Sequence, residues 1–399
     1  MKVLNHNTFV VGLFVVLVVL ASNTLVLAFP PDPDNAALLY YQAFLLRKQP
    51  DETMKQMLTD LSRGEIPVDK RIAEYVESNR RAIDLAIAAA DMPFCDWGLK
   101  YSDGWSAEIP YLWQVRELVR LVLADARILA DRGDYESALD RCVTVRKLGW
   151  HGTADTPLIS YIVALKIEEL ANNCIQHILP STPPDQQTVQ SLRLRLNELD
   201  SRSIPLKVPV HHEHEQIARY MTVEKVGEII PLLEGFVFAE DKANVSIARD
   251  RILAADERFC RMNRDYFDKH AAAVIAALDL PYAQAYGKLK DLGDSPRREF
   301  EKNPEATLAA VLAPSLDNAY NCQVHRTTYS NALKAAVELY IIAARTSQLP
   351  DALPAGLPRD MFSGEDFEYQ KKADGFILRC RGRDLKEDKI HEYEFKVKK

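Results

Sequence analysis

The sequence predicts a mainly α-helical protein: an irregular multi-helix array, partly TPR-like, with a small C-terminal three-stranded antiparallel β meander. Two observations predict it. From Asn35 onward apolar residues recur at helical spacing with strong helix formers between them, and strand signals at period two are absent until the tail. Asp34 caps a first helix through Ala36, Leu39, Tyr40, Ala43, Phe44 and Leu46, which Pro50 stops. Asp51 starts a second, ended by Gly64 and Pro67, and Asp69 opens a long third through Ile72, Val76, Ile83 and Ile87 to Ala90. Met92 to Pro110 then breaks the pattern with Pro93, Gly98, Gly104 and Pro110.

Tyr111 to Asp131 resumes as a long helix, and Gly133-Asp134-Tyr135 turns it into the next, which carries the close-packing pair Ala138-Leu139. This hairpin resembles a tetratricopeptide unit, but a solenoid needs about three such units and one is legible. Thr156-Pro157 supplies an N-cap and first-turn proline for a helix from Leu158 to Leu179, and Pro180, Pro183 and Pro184 mark a boundary. Further helices are expected at 186–199, 210–235, 240–278, 281–291 and 305–344. In the tail, Phe367/Tyr369, Phe376/Leu378/Cys380 and His391/Tyr393/Phe395/Val397 alternate, separated by Lys372-Ala373-Asp374-Gly375 and a polar link from Gly382 to Lys389. The expected organisation is a leader at 1–28, helical domains at 29–180 and 181–325, and a helix plus meander at 326–399.

The first thirty residues point to export. Lys2 is the only charge before Asp32, Phe9 to Ala21 is apolar, and Val26-Leu27-Ala28 offers small residues for cleavage before Phe29. Retained, the same segment would be an N-terminal anchor, and no other stretch is apolar enough to span. Loss of Lys2 takes the net charge from −7 to −8, a mildly acidic surface that argues against a nucleic-acid partner. The six cysteines are even in number and scattered, with no CxxC, so no metal knot is expected and most read as buried thiols.

The tail carries a resemblance. Gln348-Leu349-Pro350-Asp351, Asp360-Met361-Phe362-Ser363-Gly364, Phe367-Glu368-Tyr369 and Asp374-Gly375-Phe376 follow a long helix in an order that resembles a family of exported proteins of planctomycete-type bacteria. That family's tail is similar to the C-terminal end of type II secretion pseudopilins. The resemblance extends to Asn35–Tyr41, Cys95-Asp96-Trp97, Leu158–Glu169 and Ala332–Tyr340. It implies an exported, periplasmic or inner-membrane-anchored protein and carries no established reaction. Where the family reads Tyr-Ser-x-Gly-x-Asp, this chain has Arg379-Cys380-Arg381-Gly382-Arg383-Asp384. The arginines oppose the calcium site that pseudopilin tails would imply, leaving Asp384, Glu387 and Asp388 as nearby acids.

Two constellations are candidates for chemistry. In His211-His212-Glu213-His214-Glu215, helical spacing puts His211 on one face with His214 and Glu215, a set able to hold a transition metal; the alternative is a solvated polar helix start. Between Met92 and Trp113, Trp97, Tyr101, Trp105 and Trp113 accompany Asp96 and Asp103, a composition suited to a peptide or glycan partner, or else to a loop plugged into the core. No GxSxG, P-loop or GxGxxG occurs, and no organic cofactor is expected. The functional expectation is an exported or membrane-anchored helical binding or scaffold protein of the cell envelope with an envelope protein, peptide or glycan partner. The alternatives are an envelope hydrolase or metal-dependent enzyme using either constellation, and a pilin-like assembly component. The last is opposed by the position of the pseudopilin-like helix, some three hundred residues from the N-terminus rather than at it.

Overall fold

Several helix starts are set by side chains that satisfy the free N–H groups of a first turn. Asn35, one residue beyond the expected Asp34, caps α1 (Ala36–Leu46) by accepting from Ala37 N. Asp51 caps α2 (Glu52–Arg63), which ends at Gly64 with φ 77°, and Asp69 caps α3 (Lys70–Ser78). The long third helix expected to Ala90 is two, because Asn79 interrupts it before α4 (Arg80–Ala90). The buried Asn79 side chain accepts from Lys48 N at 2.7 Å and donates to Tyr75 O at 2.8 Å, so it competes with the helical backbone. The structure, a computed structural model, describes residues 32–102, 107–154, 157–183, 186–233 and 242–397, and the leader expected at 1–28 lies outside them.

The predicted hairpin is present as α5 (Tyr111–Asp131) and α6 (Tyr135–His151), joined through Gly133 at φ 84° and capped by Asp134, which accepts from Ser137 N. α7 (Leu158–Ile178) packs on both, followed by α8 (Gln186–Ser201) and α9 (Lys207–Ala218). Here the sequence reading of 210–235 overruns: the helix stops after Ala218, and short helical turns follow at Val226–Ile229 and Ile230–Leu232. The single helix expected at 240–278 is α10 (Lys242–Leu253) and α11 (Glu257–Ala277), split by Asp256, which accepts from Phe259 N at 2.7 Å. α12 (Tyr282–Glu299) is followed by α13 (Thr307–Leu312) and α14 (Asp317–Thr346), the expected 305–344 helix being broken at Pro314, which biases the residue before it away from helix.

The meander is antiparallel in the order β1 (Glu368–Lys372), β2 (Gly375–Arg379), β3 (Glu392–Lys396). Phe376 pairs with Phe395 and Leu378 with Tyr393, and this buried face packs on α14, where the Tyr329 and Tyr393 rings stack at 4.9 Å. The turn before the sheet explains the Asp360-Met361-Phe362-Ser363-Gly364 motif. The Asp360 carboxylate is fully buried and accepts from Phe362 N, Ser363 Oγ, Arg381 N and Gly382 N at 2.8–2.9 Å. Gly382 is required there because a Cβ would overlap the Phe362 backbone.

Two hydrophobic cores result. The larger joins α1 to α8 with the end of α11, α12, α14 and the sheet; the smaller is built from Ile217–Leu233, α10, the first half of α11, Phe300 and α13. Helices on both sides of the borders expected at 180 and 325 share the larger core, and a buried charge network ties them. Asp200 on α8 pairs with Arg146 on α6 and Lys334 on α14, each at 2.6 Å, and Glu168 on α7 lies 3.3 Å from Arg326 on α14. Breaking such a network is costly because each deletion strands a buried partner. All six cysteines are free thiols, Cys322 half-buried and the rest buried. Among the described residues, no helix is long and apolar enough to cross a membrane.

Candidate functional site

α7 buries one side, with Tyr161, Leu165 and Ile175, and leaves another half-exposed through Ile159, Ile162, Val163 and Lys166. Two cavities lie along that half-exposed side, and Ile162 lines both. The first, about 370 Å³, is enclosed by the irregular loop through Leu99, Tyr101 and Ile109, the start of α7, and His212, Glu213 and Gln216 of α9. The second, about 380 Å³, lies between α2, α5 and α7. Its floor is apolar, with Val119, Val163, Ile167 and Leu170, and its rim carries Arg63, Arg116, Arg120 and Lys166 against the single carboxylate Glu169.

The two ends differ chemically. In the first cavity burial pushes the Glu213 carboxyl above its ordinary range, opposed in part by the Leu158 N–H at the start of α7. Burial holds His212 below its ordinary range, with the charges of Arg219 and His211 acting the same way. The result is an apolar pocket with one half-buried carboxyl and one imidazole on its wall, both of whose charged forms are disfavoured by burial. In the second cavity Arg120 pairs with Glu117, Lys166 Nζ sits 2.7 Å from Glu169, and Arg116 lies over the Trp113 ring at 5.7 Å. With Arg120 offset by Glu117 and Lys166 by Glu169, Arg63 and Arg116 leave a local positive excess on a chain of net charge −7, a place where anionic groups concentrate.

The described aromatic residues among those singled out in the sequence, Trp97, Tyr101 and Trp113, take different places. Trp97 is 2 % exposed, stacks on Tyr111 at 4.0 Å and donates from Nε1 to His151 O, so it plugs the loop into the core. Tyr101 is exposed and lines the first cavity. Trp113 is 51 % exposed on α5, and Trp105 lies outside the described residues. Comparison with protein families, with curated proteins and with solved structures finds no match.

His211, His214 and Glu215 do not converge as metal ligands either. The buried positions of α9 are Pro209, Val210, Ile217 and Ala218, and between Val210 and Ile217 the residues on that side are Glu213 and His214. His214 therefore faces α11, where Nε2 meets Asp268 Oδ1 at 2.9 Å and the ring stacks on Phe267, while His211 and Glu215 are exposed. Sequence reasoning weighed the spacing among the ligands but not the apolar stripe that orients them. It missed Glu213 for that reason, and it missed Arg116 and Arg120, whose i, i+4 spacing on α5 is the local trace of the positive rim.

Proposed function

We propose that this chain is an exported or membrane-anchored helical binding protein of the cell envelope, and that an extended acidic segment of an envelope protein lies along α7. The observation carrying this reading is the pair of cavities that meet at Ile162, one mainly apolar, the other with Arg63, Arg116, Arg120 and Lys166 on its rim. An extended segment would seat an apolar side chain beside Leu99, Tyr101 and Ile109 and carry acidic side chains to Arg63, Arg116, Arg120 and Lys166. Apolar burial supplies affinity and the charges supply orientation and encounter rate. The leader composition and the acidic net charge support an envelope location and a protein rather than nucleic-acid partner.

The test is fluorescence anisotropy with synthetic peptides that pair one aromatic residue with several acids at varied spacing. Arg116→Glu combined with Lys166→Glu weakens binding roughly tenfold or more and reverses its salt dependence, since both cations are exposed rim charges. A basic peptide of the same apolar content binding equally well, or an unaltered affinity in the double variant, would refute the reading.

A further inference from the structure

Beyond the α7 groove, a cluster of side chains among the described residues has the composition of a metal site. The link between β2 and β3 folds back on itself: Asp384 and Lys389 form a backbone bridge, and the Asp384 carboxylate, fully buried, accepts from Lys386 N at 2.9 Å and Glu387 N at 3.0 Å. Its other oxygen meets His391 Nε2 at 2.9 Å and Asn321 Nδ2 at 3.3 Å. Tyr282 holds the same link from α12, its hydroxyl accepting from Leu385 N at 2.9 Å. In this way the fold fixes a buried carboxylate, a buried imidazole and the exposed Glu387 so that one ligand atom from each lies within 4.8 Å of the others.

A second imidazole comes from the helical body. His325 on α14 has its ring centroid 4.5 Å from that of His391, and its Nδ1 faces Glu169 Oε2 at 4.0 Å. The His325 nitrogens are not among the ligand atoms that converge within 4.8 Å, so this ring has to turn to join them; two imidazoles on one tetrahedral zinc with bonds of about 2 Å place their centroids roughly 5 Å apart, a spacing the two rings already have. We propose that Asp384, Glu387, His391 and His325 bind a first-row transition metal of the zinc class, stapling the β2–β3 link to α14.

The donor set argues for that class and against calcium. Imidazole nitrogen suits zinc, nickel, copper and cobalt, whereas calcium takes six or more oxygens, and the third acid of the link is turned away. Asp388 is exposed and pairs with Arg383 at 2.7 Å. Binding replaces the hydrogen bond between His391 and Asp384 and releases Glu387 from Lys389. Glu387 is exposed and supplies the route by which the ion enters.

The experiment titrates Co²⁺, then Zn²⁺, into the purified full chain after chelator treatment, reading cobalt absorption and the zinc-dependent rise in melting temperature. One equivalent binds with the visible bands of a four- or five-coordinate ion. Glu387→Gln and His325→Gln, which alter an exposed and a half-buried side chain, each weaken binding about tenfold or more with unchanged circular dichroism. The double variant His211→Ala/His214→Ala binds as the wild type does. Equal affinity in the wild type, Glu387→Gln and His325→Gln overturns the proposal, as does tight binding of calcium without zinc or a signal lost only in the His211/His214 variant.

Discussion

His151, at the end of α6, ties the irregular loop to the helical body and makes the strongest quantitative prediction. It is 1 % exposed; Tyr40 Oη lies 2.9 Å from Nδ1 and Met92 O lies 3.1 Å from Nε2, an arrangement that suits the neutral ring with its proton on Nε2. Burial is the main cause that lowers its pKa from 6.5 to about 4. The sign follows from linkage. The unfolded chain takes up a proton below about pH 6.5 that the folded chain refuses until about pH 4, so stability is complete above the first value and falls between the two. Each pH unit across that window costs about 1.4 kcal/mol once past its upper edge, which gives a loss of about 2 kcal/mol at pH 5 and about 3 kcal/mol at pH 4. His212 and His325, also held below their ordinary range, add losses of the same sign, so the comparison must cancel them. Urea unfolding of the wild type and His151→Gln near pH 7 and near pH 5 does so: the difference in stability between the two proteins shifts by about 2 kcal/mol in favour of the variant at the lower pH. A difference that is the same at both pH values would refute the buried neutral imidazole.

Three other substitutions test the packing. Asp360→Ala leaves the N–H groups of Phe362, Arg381 and Gly382 without their acceptor and lowers stability by about 3 kcal/mol or more, measured by urea unfolding. Trp97→Ala costs about 3–5 kcal/mol in the same assay, because it empties a stack between buried rings, whereas the half-exposed Trp113→Ala changes stability by about 1 kcal/mol or less. Reversal of that order would contradict the assignment of Trp97 to the core.

Much of the fold was legible because its signals are local. Asp51, Asp69 and Gly133 bound helices as their chemistry dictates, and the alternation from Phe367 to Val397 is the meander that forms. The misses are places where a side chain or a proline ends a helix that periodicity would continue: Asn79 takes the Lys48 N–H from 31 residues away, Asp256 recaps the chain after Ala254-Ala255, and Pro314 splits the last helical stretch. The candidate sites were less legible because they are assembled across the chain. Arg63, Arg116 and Lys166 meet from three helices, and His325 meets His391 across a separation that no local pattern encodes. Asp384 and Glu387 stood out as acids, but the buried imidazole that changes their chemistry read only as one position of an alternating strand.

The groove along α7 is tested most directly by position. Ile159, 51 % exposed and lining the first cavity, is replaced by a photo-crosslinking phenylalanine derivative, and Leu194 on α8, 64 % exposed and outside both cavities, serves as the control. Irradiated with an acidic aromatic peptide, the Ile159 position forms an adduct that Arg116→Glu/Lys166→Glu abolishes, while the Leu194 position forms none. Adducts of equal yield at both positions, or an adduct at Ile159 that survives charge reversal, would contradict a binding groove on this helix.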